Sequence, residues 1–285
     1  MNSIFFDEIG YLLKTDELIE KLCIYEDDIV FLSGSLVESR VNRYSKGIGN
    51  IYSDLDVFII RAHSNFIESN STYTEKYKKT DFMYLDLLGI DVEIFDKEFV
   101  DELWIRISNI NFSPGIRIAN SIDIPVGISE YSTNSFLNRF INAVPIYNCE
   151  EYEDLKKKLL IDNWIKFQRY TIENSIENII TDVDGNIQAK QFEVSVLCSR
   201  VAFTQMIKYL ILSVGDLVDR EKWLPVKLKN VAKYYSEYND IVNFYNKLFF
   251  SDITNPKHKE EISIESIVFI RRKLEEISME ELLWI

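Results

Sequence analysis

The sequence predicts an α+β chain: an N-terminal domain on a mixed sheet, residues 1–147, followed by a C-terminal helical-bundle domain, residues 148–285. Three observations carry this. Short runs rich in β-branched and aromatic residues recur between positions 29 and 95. From Tyr152 onward the apolar residues recur at i, i+3 and i+4 instead. No internal repeat or low-complexity linker separates the two patterns, and 285 residues are enough for one large or two modest cores.

Taken in order, residues 3–23 carry Phe6, Ile9, Leu12, Leu13, Leu18, Ile19 and Leu22 at helical spacings, which predicts a helix. Residues 29–32 suit a short buried strand. A second strand is expected at 57–60, a third at 90–95, and a further one at 82–88. Residues 64–80 are polar and read as a loop or an exposed helix. In the second half, long helices are expected at 155–180, 192–214 and 262–283, with shorter ones at 226–235 and 241–250. Residues 182–193 place Asp182, Asp184 and Glu193 as a calcium loop would. Gly185, however, falls two positions before the required glycine, so a helix–turn–helix connection is the reading.

Composition excludes several classes. Asp plus Glu number 46 against 32 Lys plus Arg, a formal net charge of −14, which argues against extended nucleic acid or an anionic membrane as the main ligand. Cys23, Cys149 and Cys198 are scattered and odd in number, so a disulfide framework or zinc site is not expected and a cytoplasmic location is. Asp7 and Glu8 interrupt the first apolar residues, against a signal peptide. Arg200, Gln205 and Lys208 interrupt residues 194–214, which therefore read as a buried amphipathic helix before a membrane span. With His63 and His258 alone, acid–base or metal work must fall to carboxylates.

The stretch 29–61 is where chemistry concentrates. A buried strand runs into Ser33-Gly34-Ser35, and after a polar loop Tyr52-Ser53-Asp54-Leu55-Asp56 leads into an apolar strand. Period two puts Asp54 and Asp56 on one face, a costly arrangement unless a divalent cation neutralises it. Asp91 and Glu93 likewise share one face of the alternating strand 90–95. A neighbouring strand position would let one of them join the same cluster, the arrangement that two-metal phosphoryl or nucleotidyl transfer needs. Gly34 permits close approach of backbone to phosphate, and Ser35 adds an amide and a hydroxyl.

Gly34-Ser35, then Ser53-Asp54-Leu55-Asp56 entering a strand, then Asp91-Val92-Glu93, resembles the signature of the DNA polymerase β-like nucleotidyltransferase superfamily. The layout is nearest to the kanamycin-type antibiotic nucleotidyltransferases, which also pair a catalytic with a helical domain and carry a Pro-Ile-Tyr segment like Pro145-Ile146-Tyr147. The resemblance is motif-level over residues 29–95 and architectural beyond.

It implies transfer of a nucleoside monophosphate from a nucleoside triphosphate, ATP being the expected one, to a hydroxyl of a small-molecule acceptor, with release of pyrophosphate. Two Mg²⁺ ions would be held by Asp54, Asp56 and either Asp91 or Glu93, and the nucleotide by Gly34, Ser35 and Ser53. The loop before Asp54 is longer than the family's usual spacing. Its extra residues, within 39–50, carry Arg40, Arg43 and Lys46, either as a lid over the triphosphate or as a solvated loop. A carboxylate of the helical domain serves as general base in the antibiotic enzymes, and Glu173 and Glu177 lie on the comparable helix.

Arg200, Lys208 and Lys222 are candidate phosphate contacts, while Trp223, Phe167, Tyr170, Phe203 and Tyr209 read as core. An aminoglycoside-like polycation would suit the acidic surplus, and antibiotic resistance follows from the resemblance alone. A toxin that modifies a protein or tRNA, a second-messenger synthase and an inactive nucleotide-binding regulatory module stand as alternatives, and a homodimer stays open.

Overall fold

The computed structural model describes residues 3–113 and 122–282, the last four of these as backbone alone. The chain divides into two units, the first running to Asn163 and the second starting at Trp164. It is mixed α+β as the sequence predicts, with a mixed sheet in the first part and helices in the second.

The first unit opens with a hairpin of β1 (Ser3–Phe6) and β2 (Tyr11–Lys14), followed by α1 (Thr15–Lys21). This corrects the single helix expected over residues 3–23. Gly10 takes a left-handed φ of 61° and its N–H bonds back to the Asp7 carbonyl, turning the chain. Burial then alternates, with Ile4 and Phe6 inward and Phe5 outward.

A six-stranded sheet follows. Its strands are β3 (Ile29–Ser33), β4 (Leu55–Arg61), β5 (Tyr73–Thr74), β6 (Lys78–Leu85), β7 (Leu88–Asp96) and β8 (Val144–Tyr147), in the order β5-β6-β7-β4-β3-β8. β4 and β7 run parallel, and the other neighbours run antiparallel. The strands expected at 82–88 and 90–95 are the arms of one longer hairpin, turned at Asp86 with a φ of 56°. The polar stretch 64–80 holds most of α3 (His63–Glu68), β5 and the start of β6.

Helices α2 (Ser35–Val41), α4 (Lys97–Ser108), α5 (Glu130–Ile141) and α6 (Cys149–Lys158) complete the unit. The Pro145-Ile146-Tyr147 segment is β8, paired with β3. The unit continues past residue 147 because α6 packs on the sheet: Tyr152 is fully buried against Phe31 and Phe140, and its hydroxyl bonds the Phe140 carbonyl.

The two faces of the sheet differ. Val30, Leu32, Leu55, Val57, Ile59, Ile90, Val92 and Ile94 form one aliphatic face, packed with Phe6, Leu13, Leu18 and Leu22 of the hairpin and α1. The opposite face is aromatic. Phe31 stacks on Phe58 at 5.3 Å, and Phe95, Phe136 and Phe140 continue the layer. Trp104 closes it, donating its indole N–H to the Leu155 carbonyl.

The second unit is helical. Its long helices are α7 (Ile161–Gln188), which begins just inside the first unit, α8 (Phe192–Ser213) and α11 (Pro256–Leu282). Shorter α9 (Leu224–Tyr234) and α10 (Asn239–Phe250) lie between them. The helix expected over 155–180 is two helices broken at Leu159, which is extended and nearly buried. Leu283, the expected end of the last helix, lies outside the described residues. Residues 182–188 are helical and Lys190 takes a φ of 57°, so the acidic segment is a helix–turn–helix connection. Among the described residues α8 alone is long and apolar enough to cross a membrane, and 56% of its most apolar stretch is buried.

Candidate active site

Strand β3 is followed by Gly34, whose φ of 79° and ψ of −173° suit glycine alone. A second constraint coincides with the first. A Cβ at Gly34 would lie 1.7 Å from Asp56 Oδ2, so the glycine is the seat of the aspartate. Gly89 does the same for Asp54, since a Cβ there would lie 2.6 Å from Asp54 Oδ1. Each aspartate therefore depends on a glycine distant in sequence, one just after β3 and one within β7, and Gly89 is a residue of the candidate site that the sequence reading missed.

Register then lines up the acids. Ser33 faces Asp56 across the β3–β4 pair, and Asp56 faces Asp91 across the parallel β4–β7 pair. Asp54 stands one step before β4, on the same face by alternation. Glu93 is level with Phe58, deeper in the sheet, and has its own cation in Lys78 at 4.0 Å. The sheet thus puts Asp91, and not Glu93, beside Asp56. Burial first, and then the Asp54 charge, push the Asp91 carboxyl above its ordinary value, while Arg139 pulls it down.

Arg139 was also missed. It lies on α5, nearly buried, with Nε 3.9 Å from Asp56 Oδ1 and its guanidinium over the Phe58 ring at 5.8 Å. Its carbonyl accepts the Ser33 hydroxyl at 2.8 Å. The buried Glu38 and Asn138 bond at 3.3 Å, and Asn142 joins α5 to Asn42 at 3.2 Å, so a polar network ties this helix to the segment after Gly34. No local motif reveals Arg139, because its contacts with Asp56, Phe58 and Ser33 are long-range.

The two serines meet. Ser35 and Ser53 hydroxyls are 3.3 Å apart, the Asn50 N–H donates to Ser53 Oγ at 2.9 Å, and Gly49 backs onto Ser35. The segment 39–50 is folded. Tyr44, Ser45 and Ile48 are buried, and Ser45 bonds Glu38 at 2.6 Å, so it is not a solvated loop. Its cations are engaged locally: Arg40 bonds the Phe5 carbonyl and lies over Phe6, and Arg43 lies over Tyr44. Lys46 is exposed.

In the second unit, Glu177 is about half exposed on α7 and pairs with Arg271 at 3.3 Å, and Glu173 is exposed on the same helix. Arg200 bonds the Leu248 carbonyl, Lys208 bonds Glu221 and Lys222 lies over Trp223. Phe167, Phe203 and Tyr209 are core as expected, whereas Tyr170 is partly exposed.

Among the described residues no three histidine, cysteine or acidic side chains form a ready-made cation cage. The donor set nevertheless fits magnesium, which takes oxygen ligands and is held by one or two carboxylates together with substrate phosphates. Asp54, Asp56 and Asp91 supply such oxygens on one face. A separate cleft of about 360 Å³, lined by Cys23, Arg61 and Asp81 among others, opens on the aliphatic side of the sheet, away from the acids.

No family model and no curated protein matches the chain. Among solved structures it is similar to a nucleotidyltransferase-like protein from Exiguobacterium sibiricum 255-15, at 11% identity over 92% of this chain and 72% of that chain, with a TM-score of 0.47. That is a distant likeness and has no bearing on activity.

Proposed function

We infer that the chain is a nucleotidyltransferase: it moves a nucleoside monophosphate from a nucleoside triphosphate, ATP being the expected donor, to a hydroxyl of a small-molecule acceptor, releasing pyrophosphate. The observation that carries the reading is the row Ser33, Asp56, Asp91 across three strands, with two aspartates seated over glycines and a glycine–serine turn at one end. A solvated strand face has no need of such seats.

In this reading the Gly34-Ser35 turn offers amides and a hydroxyl to the phosphates, and Ser53 fixes the Ser35 hydroxyl. Asp54, Asp56 and Asp91 would hold magnesium, which when bound neutralises phosphate charge and lowers the pKa of the attacking hydroxyl. Arg139 steadies Asp56 and offsets part of the acidic charge. An aminoglycoside-like acceptor suits the net charge of −14.

The test is incubation with each labelled nucleoside triphosphate and Mg²⁺, with and without acceptors including kanamycin A, following pyrophosphate release. Turnover that is lost in Asp54→Ala and Asp56→Ala supports the reading. Absence of both nucleotide binding and turnover in the wild type sinks it.

A further inference from the structure

The row of acids does not end at Asp91. Phe82 of β6 is the register partner of Asp91, and Tyr84 is the partner of Gly89. Both therefore lie on the acidic face, and both are exposed, Phe82 to 58% and Tyr84 to 73%. Tyr84 leans over Gly89: its Cε1 and Asp54 Oδ1 both come within 4 Å of the place a Cβ would take there. Tyr73 of β5, also exposed, meets Phe82 edge to face at 6.2 Å.

Water-facing positions of a sheet are ordinarily polar, and β6 follows that rule elsewhere. Thr80 and Lys78 occupy the same face opposite Glu93 and Phe95. Aromatic rings replace polar residues only where β6 comes level with Asp91 and Gly89. Across the sheet the order is then the Gly34-Ser35 turn, Asp54 and Asp56, Asp91, and last the aromatic strand. Group transfer needs donor and acceptor on opposite sides of the groups that bring them together. The phosphate-binding turn occupies one side, which leaves the aromatic strand for the acceptor.

We propose that Phe82 and Tyr84 form the acceptor subsite, on which a small ring-bearing alcohol lays a flat face while its hydroxyl reaches Asp91. This rests on the nucleotidyltransferase reading for the word acceptor, but not for the binding itself. Rings spaced two residues apart on one strand face stand roughly 7 Å from each other, enough for one sugar, cyclitol or base ring to contact both. The cation on this face of β6 is Lys78, and it is already set against Glu93. The subsite therefore takes a neutral or cationic ring and not a phosphorylated one.

The experiment is saturation-transfer difference NMR on the full chain with kanamycin A, adenosine and adenosine 5′-monophosphate as probes, without nucleoside triphosphate. It compares the wild type, the Phe82→Ala/Tyr84→Ala double variant and the ring-preserving Phe82→Tyr/Tyr84→Phe variant, each checked for an unchanged thermal melt. Kanamycin A or adenosine should receive saturation from the wild type, lose at least tenfold in affinity in the alanine variant and recover in the ring-preserving one, with adenosine 5′-monophosphate weaker than adenosine. Which of the two binds separates a sugar-ring from a base-ring acceptor. No transfer to any probe from the wild type, or equal affinity in the alanine variant, overturns the subsite.

Binding of a fluorescent ATP analogue with Mg²⁺ is measured alongside and should change less than twofold between variants. If that binding is absent while ring binding obeys the pattern, the nucleotidyltransferase reading fails and the subsite stands.

Discussion

Strand β4 carries a carboxylate–guanidinium couple at each end, and the two are built differently. At its C-terminal end Arg61 grips Asp28 with Nε at 3.1 Å from both oxygens and Nη2 at 2.7 Å, and a further bond runs to the Cys23 carbonyl. Both side chains are at most 2% exposed, and Tyr25 covers the guanidinium. At the N-terminal end Asp56 and Arg139 stand 3.9 Å apart, with Asp56 23% exposed and a second and third aspartate beside it. The first couple is saturated and closed to solvent. The second is partly exposed and has further aspartates gathered beside it, which is what distinguishes the candidate site from a brace on the same strand.

The largest effect should come from breaking the brace. Asp28→Ala leaves Arg61 buried without its carboxylate, and loss of one partner of a buried pair costs about 3–5 kcal/mol. Urea unfolding of the variant should show that loss, and a change below about 1 kcal/mol would mean that the closed couple does not hold the strand.

A smaller loss is expected at the seat of the open couple. Gly34→Ala forces a side chain into a glycine-only conformation, at about 1–3 kcal/mol, and drives a methyl into the Asp56 carboxylate. Displacing a reacting group by an ångström can cost about 10²-fold in rate. The variant should therefore lose transfer activity out of proportion to its stability.

Asp56→Asn is expected to separate the two ends of the strand cleanly. Asp56 is more exposed than Asp28, so its loss leaves a less deeply buried partner behind. The melting temperature should fall less than in Asp28→Ala, while transfer falls by about 10²-fold or more, as when one charge-stabilising group is removed from an active site. A protein that unfolds on this substitution would place Asp56 with Asp28, as a structural acid.

Much of the open couple was legible from sequence because its parts are local. Gly34 precedes a helix, and Asp54 and Asp56 lie on one face by strand period alone. The same period puts Asp91 and Glu93 together and cannot separate them. Only the parallel register with β4 does so, and register between distant strands is fixed by packing. Gly89 and Arg139 were invisible for the same reason, since each matters through an aspartate far away in the chain. Arg40 and Arg43 are neighbours in sequence, yet one guanidinium turns to the distant Phe5 carbonyl and the other to the adjacent Tyr44 ring, which sequence alone does not show. In residues 3–14, Phe6, Ile9, Leu12 and Leu13 fit a helical spacing, and the turn at Gly10 decided against it.

The smallest effect is expected one residue beyond the brace and its neighbour, at His63. Its Nδ1 lies 2.6 Å from Asp96 Oδ2, while Asp96 also caps α4 through the Glu98 N–H at 3.0 Å. The hydrogen bond to Asp96 raises the imidazole pKa above its ordinary 6.5, with the Asp96 and Glu98 charges adding to it. A folded-state pKa above the unfolded one stabilises where the unfolded histidine is also protonated, below about 6.5, and this contribution fades as pH rises through the folded value. His63→Ala should therefore lose more stability at pH 5.5 than at pH 9. Because the chain holds only His63 and His258, NMR of the ring protons can follow each titration separately. His63 should titrate above the unfolded value, and a difference between the two pH values of zero or of opposite sign would show that the ion pair at this corner of β4 does not form.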